Sequence, residues 1–542
     1  MSMTTRPPRP RTSEIALLAG AAAWFLLLCN RGINVMDEGV TLLHAFQTAR
    51  GLVIYRDYLF PITPLSLFIQ AGLIKLFGLH LIIGRVYVAL EGIILVAAAL
   101  SIGRRRLEYP FSLIPAGLWV FYTVALGNFP HYNLDAAFFF ALCLFALDRW
   151  LDRPRTGLLV GAALCAAACI LCKQSLAPAA LAAVAGAVAL AGGGRAAMAR
   201  RLLLALAVMA ASAAPLFVYL AANHALGETW ADFSGLGQMK RVQLLVLLPR
   251  ATVLLAGVVG GVWAVTFAAR RRPALWPYAA WALPLAAGAI IWFGPALFAG
   301  PLVIAGAATA MLLLVQPAAP ADSRPWLLLR GGWLLFFIFT AISGLDLGHM
   351  LIASVGAAFP AGLLAQRAFQ RGRAVRLAAA FGLAAALATG AWLDLAVPHL
   401  SLSQPPRWLA TQPIRLPGME LMRTSPEQAS ELEATVSYIR NHTSRDERIF
   451  VYPWDLILYP LADRLPATYH SSFYYEMIDQ RALRRVFDDL ERVRPRYVVV
   501  RMQGDRIFRV AFDSEAVPLE QYLVQRYRVV ARFGVYQIME RE

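Results

Sequence analysis

Lysine is almost missing from this chain: Lys75, Lys173 and Lys240 are the only three among 542 residues that hold 50 basic side chains. Charge of either sign is scarce at 15% of residues, while 59% are hydrophobic. A soluble domain carries about 25% charged residues, so this balance excludes a soluble enzyme and selects a multi-spanning membrane protein. Cysteine is scarce too. Cys29, Cys143, Cys165, Cys169 and Cys172 all lie in apolar segments, which excludes a disulfide framework in the polar C-terminal part. Cys165, Cys169 and Cys172 have helical spacing, but no His or carboxylate joins them, and they read as small packing residues. An internal repeat, a Gly-rich nucleotide loop and a zinc-ligand pattern are also absent.

The net charge of +17 does not point to nucleic acid. From Pro398 onward Arg nearly cancels Asp and Glu, so the excess sits in short loops between apolar segments, as topology signals do. The N-terminus is basic and turns apolar at Ile15. The small run Ala21–Ala23 is followed by more apolar residues rather than a cleavage site, which predicts an uncleaved first span with a cytoplasmic N-terminus.

A bilayer core takes about 20 apolar residues as helix. Thirteen spans are expected, at roughly 14–31, 81–102, 110–127, 135–151, 156–172, 175–193, 202–222, 244–269, 274–293, 296–315, 326–343, 347–366 and 375–396. Basic clusters such as Arg104–Arg106, Arg270–Arg272 and Arg367/Arg371/Arg373 follow every second span. Placing them in the cytoplasm satisfies the positive-inside rule and puts the C-terminal region outside. The 16 residues Pro64–Leu79, with Lys75 among them, are too short for a span. They read as a helix on the outer membrane surface or re-entering it. The first external loop then covers about 32–80. Asn128–Asp135, Lys173-Gln174, Asn223–Gln243 and Ser343–His349 are also external, and all three lysines face outward. With so few lysines chance accounts for this as well as an anionic ligand does.

The fold class expected is therefore a polytopic α-helical membrane protein with a small C-terminal α/β extracytoplasmic domain. Residues 1–396 form the membrane domain, 397–426 a Pro-rich linker and 427–542 the soluble domain. In the last, a helix starts at Ser425-Pro426 and another covers Ala482–Val493. Strands are expected at Arg448–Tyr452, Arg496–Arg501, Tyr527–Arg532 and Val535–Glu540.

Groups able to do chemistry cluster at these outer edges. Asp37-Glu38 follows the first span, where a carboxylate is costly unless it meets water, a partner or a substrate. The pair reads equally as a helix cap or as a base that takes an acceptor's proton. Arg56-Asp57, flanked by Tyr55 and Tyr58, is either an ion pair stiffening the loop or a phosphate and sugar contact. His131 is a phosphate or metal ligand or, more simply, a hydrogen-bonding residue; Asp135 is a helix cap or a ligand contact. Lys173-Gln174 interrupts apolar sequence, so Lys173 snorkels or meets an anion. Lys240-Arg241 is a second basic pair. Asp346 and His349, three apart, share a helix face.

Taken together, M-D-E-G (Met36–Gly39), A-R-G-L-V-I-Y-R-D-Y (Ala49–Tyr58), P-I-T-P-L (Pro61–Leu65), H-Y-N-L-D (His131–Asp135), C-K-Q-S (Cys172–Ser175) and D-L-G-H (Asp346–His349) resemble the polytopic glycosyltransferases of the GT-C fold. The resemblance is to the protein O-mannosyltransferase and aminoarabinose–lipid A transferase type. R-I-F-V-Y-P (Arg448–Pro453) and Y-P-L-A-D-R-L-P (Tyr459–Pro466) are similar to the C-terminal parts of such bacterial proteins. The resemblance implies a hexosyl- or pentosyltransferase of the bacterial plasma membrane. Its donor would be a sugar on polyprenyl phosphate. Its acceptor would be a membrane lipid, glycan or protein, and the anomeric carbon would be inverted. Asp37 maps to the residue beside the acceptor nucleophile, and Glu38 assists. Arg56, His131 and Lys173 would hold the donor phosphate; Lys240, Arg241, Asp57, Tyr58, Asp135, Gln174, Asp346 and His349 complete the expected substrate contacts. Some enzymes of this type bind a divalent cation and others do not. This chain departs at Ile62-Thr63, where related enzymes carry Lys-Pro, so one basic phosphate contact is missing. Rival readings are a flippase of lipid-linked sugars, which the long first loop and outer domain suit poorly, and a non-catalytic assembly factor.

Overall fold

A computed structural model describes residues 11–122, 128–234, 324–343, 355–370, 372–396, 406–473, 480–504, 506–507 and 517–542. Lys240, Arg241, Asp346 and His349, and the expected spans at 244–269, 274–293 and 296–315, lie outside the described residues.

The chain begins with α1 (Thr12–Leu28). Two short helices follow it, α2 (Asp37–Ala49) and α3 (Leu65–Phe77). Next come α4 (Leu81–Arg106), α5 (Ile114–Tyr122), α6 (Tyr132–Asp152), α7 (Thr156–Cys172), α8 (Ala177–Ala191) and α9 (Arg195–Ala222). After the undescribed stretch come α10 (Arg324–Ser343), α11 (Ala358–Phe369) and α12 (Arg373–Ala396). Among the described residues three helices are long and apolar enough to cross a membrane: Leu81–Arg106, Gln174–Ala191 (a 3₁₀ turn running into α8) and Arg195–Ala222. The other expected spans in the described part coincide with shorter or more polar helices. The thirteen-span count is therefore not reproduced. With 13 residues, α3 rises only about 20 Å and falls short of a bilayer core of about 30 Å.

The membrane helices share one core, in which Trp119 and Trp333 meet each other and their Phe neighbours (Phe140, Phe336, Phe359) edge to face, while Phe140 and Phe336 stack. Small residues pave the α7 and α8 contacts: Ala162, Ala163, Ala166, Ala180 and Ala183. Small side chains let helix backbones approach where lipid offers no hydrophobic drive.

The C-terminal part is a small α/β domain. After the linker strands β1 (Gln412–Pro413) and β2 (Arg423–Thr424) comes α13 (Pro426–His442). Ser425 caps it, accepting from Gln428 N at 3.3 Å, with Pro426 at the first helical position. The sheet order is β3 (Phe450–Tyr452), β4 (Tyr497–Gln503), β7 (Tyr536–Arg541), β6 (Tyr527–Phe533), with β5 (Arg506–Ile507) also on β4. β3 runs parallel to β4; β4, β7 and β6 are antiparallel. The β6–β7 hairpin turns at Gly534, which has φ +56°. One sheet face packs on α14 (Gln480–Val493) and α15 (Val517–Arg526) through Leu483, Val486, Leu490 and Leu523.

The other face reaches into the loop between α1 and α3. Ile33, Val35, Leu43 and Phe46 from the start of that loop and α2 share a core with Leu432, Val436, Val451, Ile457, Leu461, Val499 and Ile538. Gly39 makes this approach possible: a Cβ there would lie 2.6 Å from the Ile457 backbone nitrogen. The loop is thus layered between the apolar helices and the C-terminal domain.

Candidate active site

Asp37 is the first residue of α2, and Asn34 builds that helix end. The fully buried Asn34 side chain accepts from the backbone nitrogens of Met36 at 3.1 Å and Asp37 at 2.9 Å, and its amide donates to Asp37 Oδ2 at 3.3 Å. An oxygen from Asn satisfies helix-end donors in the way an N-cap does. It leaves the Asp37 carboxylate half-buried at a positive helix terminus.

Glu38 has the opposite environment. It is 3% exposed and paired two-pronged with Arg85, Nε–Oε1 2.8 Å and Nη2–Oε2 2.6 Å. Arg85 is itself fully buried and spends its remaining donors on the carbonyls of Cys29, Arg31 and Gly32 and on Asn128 Oδ1. One guanidinium therefore joins the end of α1, the start of α2, α4 and the second external loop. A bidentate, fully satisfied pair of this kind is a joint. It gives Glu38 a positioning role beside Asp37.

The segments at 128–135 and 173–174 close on the one that carries Asp37. Lys173 Nζ donates to Asn133 Oδ1 at 2.5 Å and lies 5.8 Å from the Tyr132 ring centre. Gln174 accepts from Thr63 N at 3.0 Å and donates to Pro61 O at 3.1 Å. Thr63, next to Ile62 where the basic residue is missing, anchors its hydroxyl on Ile170 O at 2.7 Å. Thus Asp37, Glu38, His131, Lys173 and Gln174 belong to one end of the helix set, stitched through Arg85, Asn128 and Thr63.

Three residues expected to contact substrate also have structural partners of their own. His131, not Asp135, caps α6: its Nδ1 accepts from Asn133 N at 3.3 Å. Asp135 lies one turn further in and is fully buried. Tyr58, expected to face a sugar, is buried in the loop's own core. Its ring is 5.3 Å from His44, and its hydroxyl reaches Thr48 and His44 O.

Arg56 and Asp57 form a bidentate pair, Nε–Oδ1 2.9 Å and Nη2–Oδ2 2.8 Å. The Arg56 guanidinium holds the Asp57 carboxyl below its ordinary range, helped by the Val53 N–H. The pair pins the turn in which Tyr55 takes φ +65°, while Arg56 stays 44% exposed.

The C-terminal domain also ties down the Tyr55–Leu59 turn. Tyr469 O accepts from Leu59 N at 3.2 Å, and Tyr469 OH donates to Tyr55 O at 2.7 Å or Asp232 Oδ2 at 2.5 Å. Arg485 stacks 3.4 Å above the Tyr469 ring. Burial pushes the Asp232 carboxyl up, against the pull of Tyr469. Sequence reading missed Arg85, Asn34, Asn128 and Tyr469. An arginine inside an apolar run was the one visible signal for Arg85. Among the described residues no group of three or more His, Cys, Asp or Glu side chains is arranged to hold a metal ion.

No protein-family model and no curated protein matches the chain. Solved structures do. An Archaeoglobus fulgidus oligosaccharyltransferase tethered to an acceptor peptide is 13% identical over 91% of this chain and 69% of its own, with a TM-score of 0.50. The apo form of that enzyme gives 14%, 90%, 69% and 0.50. ArnT from Cupriavidus metallidurans bound to undecaprenyl phosphate is 18% identical over 98% of both chains, with a TM-score of 0.46. The chain has the GT-C fold of membrane glycosyltransferases and is a membrane protein.

Proposed function

We propose that this chain is an inverting glycosyltransferase that moves a sugar from a polyprenyl-phosphate donor to an acceptor on the outer face of the membrane. The observation that carries this reading is the contrast within Asp37-Glu38. One carboxylate is locked on Arg85, and the other is held half-buried at a helix end where three external loops meet.

In this reading the acceptor's O–H or N–H proton passes to the Asp37 carboxylate as its lone pair attacks the anomeric carbon. The C–O bond to the donor phosphate breaks with its electron pair on the phosphate oxygen. Lys173 and Arg56 are cations on this side suited to the departing phosphate, and His131 adds a donor. Asn34 and the Glu38–Arg85 joint fix the direction of the base.

The test is Asp37→Asn in purified protein, assayed with polyprenyl-phosphate sugars. Candidate donors and acceptors come from lipid-linked sugars and envelope glycans of cells with and without the gene. Transfer is expected to fall by about 10²–10⁴-fold with the unfolding midpoint unchanged. Wild-type turnover in Asp37→Asn would remove Asp37 as the base.

A further inference from the structure

A file of buried polar side chains leads from the cleft beside Glu38 into the membrane helices. The cleft is lined by Glu38, Thr41, Gln70, Gly84 and Pro130. Gln70 and Ser66 are four apart on α3 and so share a face. Ser66, Tyr87 and Glu91 surround Asp135. Tyr87 OH donates to Glu91 Oε1 at 2.7 Å. Ser66, Gln70, Glu91 and Asp135 are all at least nine-tenths buried.

Among the described residues, Ser66 Oγ, Gln70 Nε2 and both Asp135 carboxyl oxygens make no hydrogen bond. Among the described residues no Lys or Arg pairs with Glu91 or Asp135; besides Tyr87, Cys172 is the other titratable neighbour. Buried polar atoms of this kind are bridged by water or carry a proton. Two ionised carboxylates side by side in a low dielectric, without a counter-charge, are too costly to persist.

We propose that Glu91 and Asp135 form a proton-binding pair, one carboxyl and one carboxylate sharing a single proton. Water held by Ser66 and Gln70 connects the pair to the active-site cleft. The pair is the sink for the proton that transfer releases. The proton leaves the acceptor for Asp37, passes along the water file, and arrives at the pair. Asp37 is ionised again and the pair becomes neutral. This last role rests on the glycosyl-transfer reading; the shared proton does not.

Infrared difference spectroscopy on the full chain in nanodiscs, in H₂O and D₂O at neutral pH, tests the shared proton without turnover. Wild type is expected to show the carbonyl band of a protonated carboxyl, and Glu91→Gln and Asp135→Asn are each expected to lose that same band. No such band, or two bands each lost in one variant only, overturns the pair. Thermal unfolding identifies a misfolded variant, and Glu91→Gln, isosteric with the neutral acid, is the variant expected to stay folded. Single-turnover transfer by Glu91→Gln should slow with KM unchanged; a wild-type rate overturns the sink. If instead Asp37→Asn is fully active while the band persists, the base assignment fails and the proton pair stands.

Discussion

Arg85 shows how one side chain sets up chemistry it does not perform. Its guanidinium makes six hydrogen bonds to α1, α2 and the second external loop, with no exposed surface. Desolvating such a pair cancels much of its attraction, so the net stabilisation is small. Removing one partner is a different matter, because it strands the other charge. Arg85→Met leaves Glu38 buried and unpaired and is expected to destabilise the protein by about 3–5 kcal/mol. Glu38→Leu combined with Arg85→Met should recover part of that loss. Denaturant unfolding of the two variants in detergent checks this. A single variant as stable as wild type would mean that Glu38 is already neutral or solvated.

At the scale of elements, α2 belongs to two bodies at once. Its N-terminus presents Asp37, and its flank packs into the outer domain through Leu43 and Phe46. His44 lies on the same helix, 2% exposed, with Nδ1 on Val40 O at 2.6 Å and Nε2 3.5 Å from Ser471 Oγ. Burial pushes its pKa down to about 4 from an ordinary 6.5. The folded state thus holds His44 neutral, while the unfolded chain takes up a proton below pH 6.5. Stability from this group is full above pH 6.5 and drains as pH falls toward 4. A stability-versus-pH series on wild type and His44→Phe should show a slope of about one proton in that window for wild type only. Equal slopes would place the cause elsewhere. This double membership also marks where sequence reading stopped. The run of β-branched residues in RYVVVR and the Ser-Pro start at 425–426 marked β4 and α13 locally, because pattern and cap chemistry are short-range. That Arg85 reaches Glu38, 47 positions away, and that Gly39 lies against the Ile457 backbone are contacts between distant segments that no local period encodes. The inward depth of Asp135 was hidden for the same reason. It sits near a helix start, where a cap is the local expectation, and only the packing of α3 and α4 buries it.

For the whole molecule, the first half of the loop, Ile33 to Phe46, takes its core from the C-terminal domain, while Ile54, Tyr55, Tyr58 and Phe60 form a separate cluster with α3 and α9. Ile33, Val35, Leu43 and Phe46 are buried by the C-terminal domain, and each such side chain is worth about 1.5–3 kcal/mol. Their sum is of the order of the entire stability of a domain. Polar ties run along the same seam. Arg423 N donates to Asn30 O and Gly32 N to Arg423 O, both at 2.8 Å. Gln428 reaches Ile33 O at 3.2 Å, and Arg50 pairs with Asp463. Gly418, at φ +85°, presses against Leu79 O with no room for a Cβ. Thus the segment that presents Asp37 is shaped from outside by residues nearly 400 positions later. A chain ending before Pro406 is expected to insert its membrane helices while losing the fold of 33–46. Limited proteolysis should then cut within that stretch, which is protected in the full chain, and any transfer activity should vanish with it. Continued protection of 33–46 in the shortened chain would show that the membrane helices alone shape the loop, and would confine the outer domain to another task.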